Sequence, residues 1–263
     1  MFEKFNLTFD SNSFGILYKS AIFENITRGR LGTTLIDDIN GTIPLVRTTT
    51  KYNKPAQSFQ KIHYDIINKI NEIKNDVKFN NALIEIYDDN YVTMGYHSDM
   101  ALDLADNSNI CVFSCYENQS DTNNYRRLRI RQKNTNIEKE EDIVLDHNSI
   151  VIFSMDTNSK FQHKIILENN NSKLSNKWCG LTLRLSKTFI KFINEIPYFV
   201  INNIITNNIL KLASNEETKE FYKYRSQENK LIDFKYPELC YTISKSDLLN
   251  FITLASYNPL HSN

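Results

Sequence analysis

Histidine and cysteine are both scarce in this chain, with five and four among 263 residues. The cysteines, Cys111, Cys115, Cys179 and Cys240, include no Cys-X-X-Cys pair, which removes a zinc-ribbon reading. Cys111, Cys115 and Cys179 lie among apolar residues and are expected as buried free thiols. No run of about 18 apolar residues occurs. The best candidate, Phe199 to Ala213, is broken by Asn202, Asn203, Asn207 and Asn208, so no membrane-spanning helix is expected. The opening MFEKFNLTFDSNS has no basic stretch followed by an apolar run, so no signal peptide is expected, and the expected location is cytoplasmic. An excess of charge is also lacking: 31 Lys and Arg balance 31 Asp and Glu. No global basic field draws such a chain onto nucleic acid or an anionic membrane.

What is present is patterned. The spacing of Phe59, Ile62, Ile66, Ile70 and Ile73 predicts an amphipathic helix over 57–76. Before it, 31–36 and 43–50 carry β-branched residues between Gly and Asn punctuation and read as short strands. From 82 to 186 the pattern is β. Strands are predicted over 82–87, 109–115, 127–132, 142–145, 149–155, 161–167 and 181–186, with turn-rich segments between them. Many short strands argue for a sandwich or jelly roll rather than a doubly wound fold. After Thr188 the spacing of Phe189, Phe192, Ile193 and Ile196 predicts a short helix, and further helices are predicted over 199–213, 216–229 and 246–255. The expected fold class is mainly β with flanking helices: N-terminal strands and the amphipathic helix over 1–80, a double-stranded β-helix (jelly roll, cupin-like) core over 81–187, and a helical C-terminal extension over 188–263 packed on that core.

Two of the scarce histidines sit in suggestive places. In His97-Ser98-Asp99, residues two apart share a strand face. An imidazole and a carboxylate then converge, supplying two of the three ligands of the facial triad used by non-haem Fe(II) oxygenases. His163 lies in a later strand, Phe161 to Leu167, and is the candidate third ligand. Arg184 is the single charge in Leu181-Thr182-Leu183-Arg184-Leu185-Ser186. An interior arginine requires an anionic partner, and a guanidinium suits a carboxylate. A hairpin of the strands over 161–167 and 181–186, closed by the polar segment Asn169–Asn176, would set His163 opposite Arg184. His147 is expected in an exposed turn. Arg127, Arg129 and Arg131 alternate along one strand face, which is either a solvated face or a phosphate-binding one.

These residues, in this order, resemble the catalytic core of the 2-oxoglutarate/Fe(II) oxygenases, most of all its AlkB-like branch. The match runs through Leu83-Ile84-Glu85-Ile86-Tyr87, His97-Ser98-Asp99, His163 and Leu181-Thr182-Leu183-Arg184, about two-fifths of the chain. The resemblance implies Fe(II) held by His97, Asp99 and His163. It implies 2-oxoglutarate held by Arg184, Tyr87 and, from the Arg-X-Ser motif of other branches, Ser186. O2 completes the set of reactants. Candidate substrate contacts are Arg47, Thr49 and Tyr52, in a candidate lid over 44–52, and Asn158. Two departures stand out. Glu85 occupies the place of an asparagine, and Trp178 occupies the place of a second arginine, with Lys177 beside it. The expected function is oxidative hydroxylation or demethylation of a small molecule or protein side chain, with release of succinate and CO2. Nucleic-acid dealkylation is one alternative. A non-catalytic jelly-roll module with a vestigial metal site is the other.

Overall fold

A strand that is apolar on both faces needs cover on both, and several strands of this chain are of that kind. The computed structural model describes residues 1–134, 139–168 and 175–254. In chain order its elements are β1 (Glu3–Asn6), α1 (Ser13–Lys19), β2 (Glu24–Thr27), β3 (Arg30–Ile36), β4 (Thr42–Leu45), β5 (Gln57–Ser58), α2 (Lys61–Ile73), β6 (Asn81–Tyr87), β7 (Asn109–Tyr116), β8 (Arg127–Gln132), β9 (Glu140–Val144), β10 (Ser149–Ser154), α3 (Met155–Lys160), β11 (Phe161–Ile166), β12 (Trp178–Arg184), β13 (Thr188–Ile193), β14 (Ile196–Ile201), β15 (Ile204–Ile209), β16 (Lys211–Leu212), α4 (Asn215–Glu228) and β17 (Tyr241–Thr242).

The fold is mainly β, with a jelly-roll core and a C-terminal helix. A large sheet runs β1-β10-β7-β12-β6-β3-β2, with β5 on β3. A smaller sheet, β11-β8-β9, lies against it. Alternate residues of the central strands serve two cores. Ile84, Ile86, Cys111, Phe113, Cys179 and Leu181 face Ile62, Ile66 and Ile70 of α2 and Leu17 of α1. Val112, Tyr116, Trp178 and Phe153 face Leu128, Ile130 and Ile165 of the small sheet. Burying each such aliphatic side chain stabilises the fold by roughly 1.5–3 kcal/mol. The cleft between the sheets is where polar residues on the inner face meet.

Two sequence expectations are corrected. Residues 188–212 are not helical but strands, in a sheet ordered β15-β14-β13-β4 and in the short β16. The three-and-four spacing of Phe189, Phe192, Ile193 and Ile196 is outweighed by β-branched and aromatic content. The turns decide it. Asn194-Glu195 and Asn202-Asn203 all have positive φ, the requirement of two-residue hairpin loops. Of the helices predicted after Thr188, the one over 216–229 forms, as α4. The last one reduces to a single turn at Lys245–Leu248, and Ala255 lies outside the described residues.

The second correction concerns β11 and β12, which do not form a hairpin. β11 pairs with β8, whereas β12 lies between β7 and β6. Their compositions explain the separation. β11 alternates, with Gln162 and Lys164 on the solvent side, while most of β12 is buried on both faces. Most of the polar connection expected between them, 169–174, lies outside the described residues.

The start of α2 carries a titrating group. His63 accepts from the Gln60 N–H at 2.8 Å through Nδ1, and its Nε2 lies 3.0 Å from the Ser20 hydroxyl. Burial pushes its pKa down to about 4. The unfolded chain therefore takes up this proton first as pH falls. Stability is fully present above about pH 6.5 and declines towards about pH 4, by at most about 3 kcal/mol from this group. Urea unfolding near pH 7 and near pH 4.5 is expected to show a smaller loss in His63→Gln than in the native chain. An equal loss would assign the acid sensitivity elsewhere.

Candidate metal centre

The segment before Asp99 runs alongside β11. His97 and His163 exchange backbone hydrogen bonds of 3.0 and 2.7 Å, and Leu167 N–H donates to Val92 at 2.8 Å. This pairing brings the two imidazoles together, with ring centroids 4.7 Å apart. Asp99, just past the bridge, turns its carboxylate towards both. Its Oδ1 lies 3.9 Å from His97 Nε2 and 3.5 Å from His163 Nε2. One ligand atom from each residue lies within 4.8 Å of the others. Two imidazole nitrogens and one carboxylate oxygen on one side of a point are a donor set that suits Fe(II) and leaves positions open.

Protonation favours the same use. His97 Nδ1 lies 3.0 Å from the Gly95 carbonyl, so that nitrogen is the donor and Nε2 keeps its lone pair. Burial and the adjacent His163 ring hold the His97 imidazole well below its ordinary pKa, and so neutral. Burial alone would raise the pKa of Asp99. The Arg184 guanidinium and the two histidines override it and hold the carboxyl far below the usual carboxylate range.

Arg184 reaches Asp99 from the large sheet. Its Nε donates to Oδ2 at 2.8 Å, which leaves Oδ1 for the histidines. Among the described residues its guanidinium makes no other hydrogen bond, and the side chain lines a cavity of about 460 Å³ that the three candidate ligands also line. The remaining N–H groups of Arg184 are suited to an anionic co-substrate beside the metal position.

Asn158 grips the Asp99 backbone from both sides. It accepts from the Asp99 N–H at 2.8 Å and donates to the Asp99 carbonyl at 2.8 Å. It is absent from the cavity lining, and its amide is used on this backbone. The last turn of α4 does the same for Ser98. Asn229 accepts from the Ser98 N–H at 3.1 Å, and Arg225 donates to the Ser98 carbonyl. Glu228 accepts from the Ala101 N–H at 2.7 Å and is paired with Arg225.

The remaining predicted site residues divide. Thr49 lines the cavity. Tyr87 is fully buried, and its hydroxyl donates to Glu85 at 2.7 Å. Tyr52 is buried with a hydroxyl that has no partner among the described residues. Ser186 is turned away from the cavity, its hydroxyl 2.5 Å from the Leu45 carbonyl. Arg47 is spent on a buried pair with Asp103 at 2.7 Å and on the carbonyls of Leu239 and Tyr241, so it tethers the C-terminal segment. The row Arg127, Arg129 and Arg131 lies outward. Arg127 and Arg129 are paired with Glu168, and Arg129 also with Asp142. Lys177 pairs with Glu117 at the surface.

Sequence reasoning passed over Arg225, Glu228 and Asn229, which sit in a charged helix with no motif. It also passed over Arg30. A signal for Arg30 existed, because Glu85 in an otherwise apolar strand demands a buried cation.

A model of the 2OG-Fe(II) oxygenase superfamily matches residues 39–189. That span includes the three candidate ligands and Arg184 and ends before α4. Among solved structures, one titled "The structure of OsALKBH1" is similar at 15% identity, covering 65% of this chain and 91% of that one, with a TM-score of 0.42. No curated protein matches the sequence. Groups that orient metal ligands typically change affinity about 10–100-fold when removed. Asn158→Ala and Asn229→Ala are each expected to weaken Fe(II) binding within that range in an equilibrium titration, with the fold retained by circular dichroism. Unchanged affinity in both would deny them a positioning role.

Proposed function

The chain belongs to the 2OG-Fe(II) oxygenase superfamily, and on that premise we propose that His97, Asp99 and His163 hold Fe(II) and that the enzyme oxidises a C–H bond of its substrate by hydroxylation or demethylation. The observation that carries this reading is the convergence of two imidazole nitrogens and the Asp99 Oδ1 on one side of a lined cavity. Fe(II) held there by His97, Asp99 and His163 would, with 2-oxoglutarate and O2, supply the oxidising power, the 2-oxoglutarate leaving as succinate and CO2.

The chain's own residues do the remaining work. Neutral His97 and ionised Asp99 bind the metal without first losing a proton. Arg184 holds Asp99 in place and offers its other N–H groups to the co-substrate carboxylate beside the metal. Leu83, Val112, Leu128 and Ile165 line the same cavity and keep bulk water from the reacting centre. Thr49 and Thr50 from the segment after β4 lie at its wall.

The favoured substrate is a small molecule or a protein side chain. The ion-paired state of Arg127 and Arg129 supports this, because charges already neutralised by Glu168 and Asp142 attract phosphates weakly. Nucleic-acid dealkylation has one observation in its favour. Tyr96 lines the cavity, and Arg131 and Lys164 lie 4.0 and 4.3 Å from its ring centre. Steeply salt-dependent binding of single-stranded DNA or RNA would support that second reading.

With Fe(II), O2 and a reductant such as ascorbate to return the two electrons that the missing substrate would supply, the native chain is expected to convert 2-oxoglutarate to succinate slowly even without substrate. Asp99→Ala should reduce that conversion to background. Succinate formation at the native rate in Asp99→Ala would remove the triad from the proposal.

A further inference from the structure

The cavity has a second charged end, away from Asp99. Arg30, the first residue of β3, and Glu85, in β6, both line it. The Arg30 Nε and Nη2 lie 2.6 and 2.5 Å from Glu85 Oε1. The Tyr87 hydroxyl donates to Oε2 at 2.7 Å. Both oxygens of one carboxylate are therefore held, one by a guanidinium and the other by a phenol. Thr50 adds a 3.3 Å contact to Arg30. The unpartnered Tyr52 hydroxyl lies within electrostatic reach of Glu85, Arg30 and Arg184.

The neighbouring strand contributes no cation here. Gly180 of β12 stands opposite Glu85, and the Trp178 ring lies over it. A β-carbon at position 180 would come within 2.0 Å of that ring. Trp178 in turn packs against Tyr87, with centroids 4.8 Å apart. The cation that lines the cavity at this end is Arg30, and the chain's own carboxylate already occupies it; Arg126 lies behind the Tyr87 ring, 5.2 Å from its centre, with its guanidinium on the Tyr91 and Asp88 carbonyls.

An arginine and a tyrosine converging on a carboxylate form a carboxylate-binding site. We propose that Glu85 fills this site as a resident counter-ion and thereby sets co-substrate selectivity: the native cavity distinguishes poorly between 2-oxoglutarate and a 2-oxo acid that lacks the distal carboxylate. The inference rests on the proposed function, since it assumes that a 2-oxo acid enters beside the triad. The physical reason is charge balance. With Glu85 ionised and paired, Arg30 presents no net positive charge to a second carboxylate, and the two like charges repel. A glutamine at 85 keeps the side-chain shape and an acceptor oxygen but frees the charge of Arg30.

The test is calorimetric titration of the full-length Fe(II)-loaded protein under anaerobic conditions, with 2-oxoglutarate and separately with pyruvate. The native Kd values are expected within about tenfold of each other. In Glu85→Gln, 2-oxoglutarate should tighten relative to pyruvate by about tenfold or more, the scale of a hydrogen bond to a charged group. In Arg30→Gln the ratio should move the other way, because Glu85 then faces the cavity without its cation. The double variant should lose the gain of Glu85→Gln. A purely structural pair would leave the ratio unmoved in both single variants, and that result overturns the proposal. So does a native preference for 2-oxoglutarate of about a hundredfold or more. Native protein that binds neither 2-oxo acid would instead remove the proposed function, and this inference with it.

Discussion

An ionised carboxylate between two apolar sheets is costly unless its charge is matched, and the Arg184 guanidinium matches that of Asp99. Arg184 approaches from the large sheet, His163 from the small one and His97 from the segment that borders it. The pair with Arg184 thus joins the segment that carries Asp99 to the large sheet across the cleft. Taking two charges out of water is expensive, and removing one partner of such a pair typically costs about 3–5 kcal/mol. The arrangement is better understood as a device for location than for stability. It directs one oxygen of Asp99 at the arginine and presents the other to the two imidazoles. The hydrogen bonds of Asn158 and Asn229 fix the backbone to which those side chains are attached.

The C-terminal segment takes part in that joint. Helix α4 packs through Phe221 with Met100, Leu239, Tyr241 and Ile243, and its last turn holds the Ser98 peptide. Arg47 secures the same segment through the carbonyls of Leu239 and Tyr241. The wall of the cavity therefore draws on residues well outside the span matched by the family model: Tyr222, Arg225 and Asn229 all line it.

Much of the core was legible because its signals are local. Strands β6 to β12 follow from apolar runs between turn residues, and α2 from its period. His97, Asp99 and His163 stand out because histidine is rare and because a His-X-Asp triplet precedes a strand histidine. What was not legible depends on tertiary context. Nothing local separates Ser186, whose hydroxyl turns to a backbone carbonyl, from a ligand contact. Arg47 looked like a substrate contact because its partner Asp103 is distant in sequence. β11 and β12 looked like a hairpin because they are consecutive, yet their burial patterns differ in the way strands of two different sheets differ. The hairpins over 188–209 were misread from spacing, although Asn194-Glu195 and Asn202-Asn203 carried the turn signal.

The central claim is that the three convergent side chains hold iron and admit a 2-oxo acid beside it. The most direct measurement is visible absorption of the protein on anaerobic addition of Fe(II) and then 2-oxoglutarate. The account predicts a weak metal-to-ligand charge-transfer band that appears only when both are present and is lost in His163→Ala. A folded native protein that gives no such band, and takes up no Fe(II), would contradict it and leave a jelly roll without a working metal centre.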